Sequence, residues 1–128
     1  MLDTNIVSDL VRNPRGRVAL RIGEVGEARV CTSILVAAEL RYGAAKKGSA
    51  RLAAQVDTVL GVLDVVAFEA QADAVYGHLR AHLETTGRPM GGNDLLIAAH
   101  ALALDCTLVT DDAAFARIEA LRRENWLR

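Results

Sequence analysis

The stretch GGNDLLIAAHALALDCTLVTDD, at positions 91–112, decides the fold. It opens with two glycines, continues as an apolar run with helical spacing, and ends in a short strand-like segment that stops at two adjacent acids. On a helix that begins near Asn93, Asp94 shares a face with apolar residues three, four, seven and eight positions later. One carboxylate therefore borders a core-facing stripe, and further acids lie where the next buried strand ends.

Helix-like and strand-like segments alternate along the whole chain. This alternation predicts a three-layer α/β/α domain with a short-stranded, mostly parallel central sheet. The predicted strands are the residues before Asp3 and segments 28–32, 63–66 and 106–110. The predicted helices are 6–11, 18–25, 34–45, 50–60, 69–85 and the one that begins near Asn93, which Asn93 also caps. Residues 118–128 fit either a helix or a final edge strand at 123–127.

Length and composition indicate one globular domain over residues 1–128. Hydrophobic residues make up 52% of the chain and aromatic residues only 4%, so the core is expected to consist mainly of Ala, Leu and Val. Lys and Arg number 15 against 16 Asp and Glu, which gives a formal net charge of -1. That balance excludes a protein that binds nucleic acid by strong positive charge alone, but it does not exclude an RNA substrate.

The two cysteines, Cys31 and Cys106, each lie in an apolar, strand-like run. No signal peptide and no apolar stretch of about 18 residues is recognisable, so we expect a cytoplasmic protein without a membrane partner. In that compartment both thiols are predicted to be reduced and buried. Neither has a second Cys or a His at ligand spacing, which argues against a zinc site.

Acidic residues recur where predicted strands end or helices begin, at Asp3, Glu39, Asp94, Asp111 and Asp112. In open α/β sheets the functional crevice lies at the carboxyl ends of the strands, where these acids would converge. Two carboxylates about 5 Å apart repel by roughly 3 kcal/mol at an effective dielectric constant of about 20. A hard divalent ion with oxygen ligands, Mg²⁺ or Mn²⁺, would relieve that repulsion. Each acid alone also fits a helix cap or an ion pair, so only the combination indicates a metal site.

Four segments, in this order, resemble the motifs of PIN-domain proteins, in particular the VapC-type toxins of bacterial toxin–antitoxin pairs. The segments are LDTN at 2–5, AELRYG at 38–43, NDLLIAAHA at 93–101, and LVTDD at 108–112 followed by Phe115. The resemblance spans nearly the whole chain. It implies a metal-dependent ribonuclease, active on tRNA or other structured RNA, that forms a homodimer and is neutralised by a cognate VapB-type antitoxin.

The resemblance also implies the roles of individual residues. Asp3, Glu39 and Asp94 correspond to the three main metal-binding acids, and Asp112 to the fourth, with Asp111 as the alternative. The polar side chains that would support the site are Thr4, Asn5 and Thr110. The chain departs from the family in having few residues before Asp3 and a short segment between Thr110 and Phe115, which leaves the choice between the two adjacent acids open.

Basic and histidine residues give weaker signals. Arg12, Arg41 and Arg88 are candidates for contact with an RNA phosphate, although exposure to solvent is the default interpretation of each. His100 follows Asp94 on the same predicted helix and is expected to pack in the core. The pair His78 and His82 has i, i+4 spacing but lacks the Glu of a zinc-protease helix.

Three other classes of protein share some of these sequence features. A receiver domain would place its acidic doublet after the first strand and a Lys after the last, and no Lys follows Lys47. A haloacid-dehalogenase-like phosphatase would need an Asp at Asn5. A non-catalytic module whose acidic pocket binds an Arg-bearing partner protein fits every residue named, and metal-dependent turnover separates it from the enzyme.

Overall fold

The computed structural model describes residues 1–128 and contains a sheet in which every paired strand is parallel. Leu2 forms the middle of the sheet through single parallel bridges to Thr32 and Val109. The order across the sheet is therefore β2–β1–Leu2–β3–β4. The strands are β1 (Cys31–Ser33), β2 (Asp64–Val66), β3 (Leu108–Val109) and β4 (Arg123–Glu124).

The chain starts in the middle of this sheet and builds outward in two directions. The amide of Leu2 donates to the Cys31 carbonyl at 2.8 Å, and the amide of Asp3 donates to the Val109 carbonyl at 2.9 Å. After Leu2 the chain adds β1 and then β2 on one side, and it later crosses to add β3 and β4 on the other. The gap between Leu2 and β3 is thus the topological switch point, where open α/β sheets form their crevice. Asp3 leaves the sheet at that point.

Six α-helices connect the strands, and none has both the length and the apolar character needed to cross a bilayer. The start of α3 shows clear local signals: the Ser33 hydroxyl accepts from the Leu35 amide at 3.0 Å, and Gly48 ends the helix in a left-handed conformation with φ of 64°. The helices are α1 (Thr4–Arg12), α2 (Arg17–Val25), α3 (Ile34–Lys47), α4 (Ala50–Val62), α5 (Ala72–Thr85) and α6 (Gly92–Ala103), with 3₁₀ turns at Glu27–Arg29 and Ala113–Arg117.

The predicted fold class is confirmed, while several predicted boundaries are wrong. The strand expected at 28–32 begins only at Cys31, and the strand expected at 106–110 is reduced to Leu108–Val109. Their lengths match the pairing with their outer neighbours, which is three residues for β1 with β2 and two for β3 with β4. At the carboxyl end the strand alternative is confirmed, since β4 pairs with β3.

Two predicted helix starts are also wrong. Gly91, not Asn93, caps α6, so the helix begins at Gly92 and its first turn carries no side-chain cap. The helix expected from residue 69 begins at Ala72, after Gln71 adopts a left-handed φ of 85°.

One main core extends from Met1 to Trp126 and packs both sides of the central strand. Leu2, Ile97 and Phe115 are completely buried in it. Cys31 and Cys106 are free thiols, but they are only half-buried, contrary to expectation. Cys31 is the first residue of β1, whereas Cys106 lies two residues before β3.

Candidate active site

Asp3 is held at the switch point by hydrogen bonds from two directions. Its carboxylate caps α1 by accepting from the Thr4 amide at 2.8 Å, and it accepts from the Thr110 hydroxyl at 2.7 Å. Only 4% of Asp3 is exposed. Burial raises the pKa of Asp3, whereas the hydrogen bonds from Thr110 and Thr4 lower it, and the nearby charge of Asp112 raises it again.

Asp94 lies in the first turn of α6, where free amides and the helix dipole favour a carboxylate. Partial desolvation nevertheless raises the pKa of Asp94 to about 6, and repulsion from Asp3, Asp112 and Glu39 adds to the rise. These charges act on Asp94 only because they lie close to it. The structure therefore brings four of the predicted acids into one electrostatic cluster, which we call the acidic site: Asp3, Glu39, Asp94 and Asp112.

Glu39 reaches this site from α3, the helix that follows β1. Its carboxylate accepts a hydrogen bond from the Thr4 hydroxyl at 2.9 Å. Thr4 thus contributes its amide to Asp3 and its hydroxyl to Glu39, which links two acids that lie 36 positions apart in the sequence. The start of α1 is the common support for both.

The two adjacent acids after β3 have different surroundings. Asp112 caps the following 3₁₀ turn, and its amide donates to the Thr110 hydroxyl at 3.0 Å. The carboxylate of Asp111 instead accepts from Asn125 at 2.7 Å and forms an ion pair with Arg128 at 3.1 Å. Asp111 is engaged by the carboxyl end of the chain, whereas Asp112 raises the pKa values of Asp3 and Asp94.

The three predicted supporting residues all contact the acids or their backbone. Thr4 and Thr110 bind carboxylates directly, and the Asn5 side chain accepts from the Asp111 amide at 3.2 Å. Asn5 therefore fixes the backbone of the turn after β3 rather than a carboxylate.

The predicted arginines are not gathered around the acids. Arg41 is paired with Asp57, and Arg88 lies 3.9 Å from Glu119. Arg12 is at the far end of α1 from Asp3, where it donates to the Ser8 hydroxyl at 3.1 Å. Only Arg12 is free of a carboxylate partner.

Sequence reasoning missed a buried contact between Ser33 and His100. The Ser33 hydroxyl and the His100 Nδ1 lie 2.8 Å apart, and His100 is 1% exposed, so its predicted core packing is confirmed. The Ser33 hydroxyl also accepts from the Leu35 amide, and which partner donates in its bond with Nδ1 depends on the tautomer of His100. Nε2 has no well-formed hydrogen bond. This contact joins α6, which carries Asp94, to the cap of α3, which carries Glu39.

The donors of the acidic site are carboxylate and hydroxyl oxygens, the ligands that Mg²⁺ and Mn²⁺ prefer. No three Asp, Glu, His or Cys side chains converge tightly enough to enclose an ion in this structure. Burial and the charges of the neighbouring acids both raise the pKa of Asp94, and a bound cation would favour its ionised form. The chemistry of the site therefore fits a hard divalent cation.

Comparisons with known proteins agree with this geometry. The family model of the PIN domain matches residues 1–121. Ribonuclease VapC2 from Rickettsia felis is 42% identical over 99 residues, which cover 76% of this chain and 74% of that protein. The tRNA(fMet)-specific endonuclease VapC from Shigella flexneri is 34% identical over 128 residues, which cover 98% of this chain and 96% of that protein.

A solved structure shows the same fold over the same length. The crystal structure of VapBC2 from Rickettsia felis bound to a DNA fragment from its promoter matches with a TM-score of 0.92 and 36% identity, and the match covers 98% of this chain and 97% of that chain. The sequence motifs, the acids at the switch point and these matches lead to one assignment. The chain belongs to the PIN-domain family, among its VapC ribonuclease toxins.

Proposed function

We propose that this protein is a Mg²⁺- or Mn²⁺-dependent ribonuclease that hydrolyses phosphodiester bonds of RNA at the acidic site. The observation that carries the proposal is the gathering of four acids at the switch point, where Thr4 and Thr110 hold Asp3 and Glu39 in place. Desolvation, with the charges of Asp3, Asp112 and Glu39, raises the pKa of Asp94 there. Such a cluster disfavours the folded protein unless a cation compensates the charge. We expect the protein to keep this destabilising cluster of acids because its activity requires them.

Asp3, Glu39, Asp94 and Asp112 would hold the metal, and Asp111 is the second choice for the fourth acid. When bound, the metal supplies an activated water and neutralises charge that develops on the phosphate. The chain itself fixes the acids: Thr110 and the Thr4 amide orient Asp3, and the Thr4 hydroxyl orients Glu39. Asn5 holds the turn that presents the adjacent acids.

For the substrate we propose a tRNA or another structured RNA, encountered in the cytoplasm. The name of the Shigella relative, a tRNA(fMet)-specific endonuclease, supports tRNA as the first substrate to examine. Arg41 and Arg88 already have carboxylate partners, so we expect less from them than from Arg12 in substrate binding.

For the protein partner we propose a VapB-type antitoxin that blocks the acidic site, as the match to VapBC2 supports. We also propose a homodimer. The helix α3 is apolar on two sides, because Val36 and Ala37 face the core while Ile34 and Tyr42 remain 45% and 66% exposed. Exposed apolar side chains of this size on one helix are typical of a surface that a second protein chain covers. Molar-mass measurement of the wild type and of Tyr42→Glu tests this interface.

The decisive experiment is cleavage of total RNA and of purified tRNA by partner-free protein in Mg²⁺ or Mn²⁺. Controls are EDTA and Asp94→Asn, which removes one charge without changing shape. Cleavage that requires both the metal and Asp94 supports the nuclease. Metal binding without cleavage would instead support the non-catalytic module whose acidic pocket binds an Arg-bearing partner.

A further inference from the structure

A hollow of about 570 Å³ lies at the end of α1 and in the turn that leads into α2. Three arginines line it, Arg12, Arg15 and Arg17, together with a single carboxylate, Asp9. We call it the arginine hollow. All three arginines are exposed, and it is a separate feature from the acidic site at the opposite end of α1.

The charges of this hollow are not compensated within the protein. Of the thirteen arginines, six lie within 4.0 Å of a carboxylate, and Arg12, Arg15 and Arg17 are three adjacent members of the seven that form no ion pair. Arg12 donates to the Ser8 hydroxyl and Arg17 to the Leu127 carbonyl, each at 3.1 Å. The carboxylate of Asp9 accepts from the Asn13 side chain at 3.0 Å. In a chain with a net charge of -1, this is a local excess of free positive charge.

One face of α1 connects the hollow with the acidic site. Thr4, Ser8 and Arg12 follow one another at intervals of four residues, so they form a continuous polar stripe along the helix. Thr4 binds Glu39 at one end of the stripe, and Arg12 binds Ser8 at the other. The helix has nine residues. At 1.5 Å per residue it spans about 13 Å, a distance that a few nucleotides of RNA cover.

We propose that the arginine hollow binds the phosphate backbone of the RNA substrate on one side of the cleaved bond, a few nucleotides away from it. This inference rests on the proposed ribonuclease function. The acidic site repels RNA unless a cation is bound, so attraction must come from elsewhere on the surface. Guanidinium groups bind phosphate through paired N–H donors and remain charged at any working pH. The contact is independent of sequence, so it strengthens binding and leaves base selection to other residues.

The test compares two triple variants with the same loss of charge. One carries Arg12→Ala, Arg15→Ala and Arg17→Ala, and the control carries Lys46→Ala, Lys47→Ala and Arg51→Ala, which are exposed positions around the end of α3 and the start of α4. KM and kcat are measured with Mn²⁺ on a full-length RNA that the wild type cleaves. A short oligonucleotide with two nucleotides on each side of the same cleavage position provides the second substrate.

The hollow variant is expected to raise KM for the long RNA about tenfold and to leave kcat unchanged. The slope of log KM against the logarithm of the salt concentration should fall by about 2, since each lost phosphate contact lowers that slope by about 0.7. KM for the short oligonucleotide should not change, because that substrate does not reach the hollow. Equal effects of both triple variants, or equal effects on both substrates, would overturn the proposal.

Two further outcomes separate the possible failures. If the hollow variant cleaves long RNA like the wild type but binds its antitoxin more weakly, the hollow serves the protein partner and the RNA proposal is wrong. If the wild type cleaves no RNA with either metal, the proposed function itself fails. In that case RNA binding by both triple variants is measured by gel shift in EDTA. Equal binding by the two variants would show that the arginine hollow does not bind RNA.

Discussion

The Thr110 hydroxyl donates a 2.7 Å hydrogen bond to the carboxylate of Asp3, although 107 positions separate the two residues in the sequence. Both residues leave neighbouring parallel strands at the switch point of the sheet. The bond lowers the pKa of Asp3 against the opposing effect of burial. Thr110 therefore offsets part of the rise in pKa that burial causes, and it holds the carboxylate in place.

Replacement of Thr110 by Val keeps the shape of the side chain and removes this bond. We expect the variant to lose about 1–3 kcal/mol of stability at neutral pH, because a buried charge loses a donor. Thr110→Ser keeps the hydroxyl and should remain close to the wild type. Urea unfolding in EDTA measures both, and equal stability of the Val and Ser variants would contradict the role assigned to the hydroxyl.

The electrostatics of Asp94 predict an unusual pH dependence in metal-free protein. The carboxyl of Asp94 has a pKa of about 6 in the folded chain, against an ordinary value of 3.8 for an Asp side chain. The folded state thus holds a proton that the unfolded state has released, so this contribution to stability is complete below pH 3.8 and is lost as the pH rises through about 6. Above pH 6, Asp94→Asn should be more stable than the wild type and inactive.

The expected gain is modest. A shift of this size corresponds to at most about 3 kcal/mol, and partial exposure of Asp94 to solvent reduces it to about 1 kcal/mol. The measurement is the difference in unfolding free energy between Asp94→Asn and the wild type from pH 4 to pH 8 in EDTA. His100 titrates with the opposite sign, because desolvation lowers its pKa, but its effect is common to both proteins and cancels. A variant that is less stable at pH 7 would identify Asp94 as a structural residue.

Much of the acidic site could be predicted because its members have regular positions in the sequence. Asp3 and the acids after β3 follow strands, and Asp94 opens an amphipathic helix, so a parallel sheet brings them to one edge. Adjacent residues in a turn point in different directions, so no spacing rule could separate Asp111 from Asp112. The separation depends on Asn125 and Arg128, which the final strand brings to Asp111.

The fold shows the same division between local and non-local information. The end of α3 at Gly48 was predictable from residues next to it, as was its cap at Ser33. The lengths of the strands were not predictable, because they depend on pairing between segments that lie far apart in the sequence. The contact of Ser33 with His100, across 67 positions, carries no signal in the sequence, since the packing of α3 against α6 creates it.

The different surroundings of the adjacent acids predict different effects on cleavage. Asp111→Asn should retain activity within about threefold and lose at most about 1 kcal/mol, because its exposed ion pair with Arg128 contributes little. Asp112→Asn should reduce kcat at least about 100-fold, because it removes charge beside Asp3 and Asp94. The Asn side chain can still accept from the Ala114 amide, so the cap of the 3₁₀ turn survives. The opposite order of effects would make Asp111 the fourth acid.

Binding of the metal should reverse the destabilisation that the acids cause. Thermal unfolding of the wild type in Mn²⁺ is expected to show a gain of about 2.7 kcal/mol at a concentration 100 times the dissociation constant. Asp94→Asn and Asp112→Asn should show a much smaller gain, and Asp111→Asn the full gain. Because a bound cation favours ionised carboxylates, the order of stability above pH 6 should also reverse in Mn²⁺, with the wild type more stable than Asp94→Asn. Equal stabilisation of all four proteins would place the ion outside the acidic site, whatever the result of the cleavage assay.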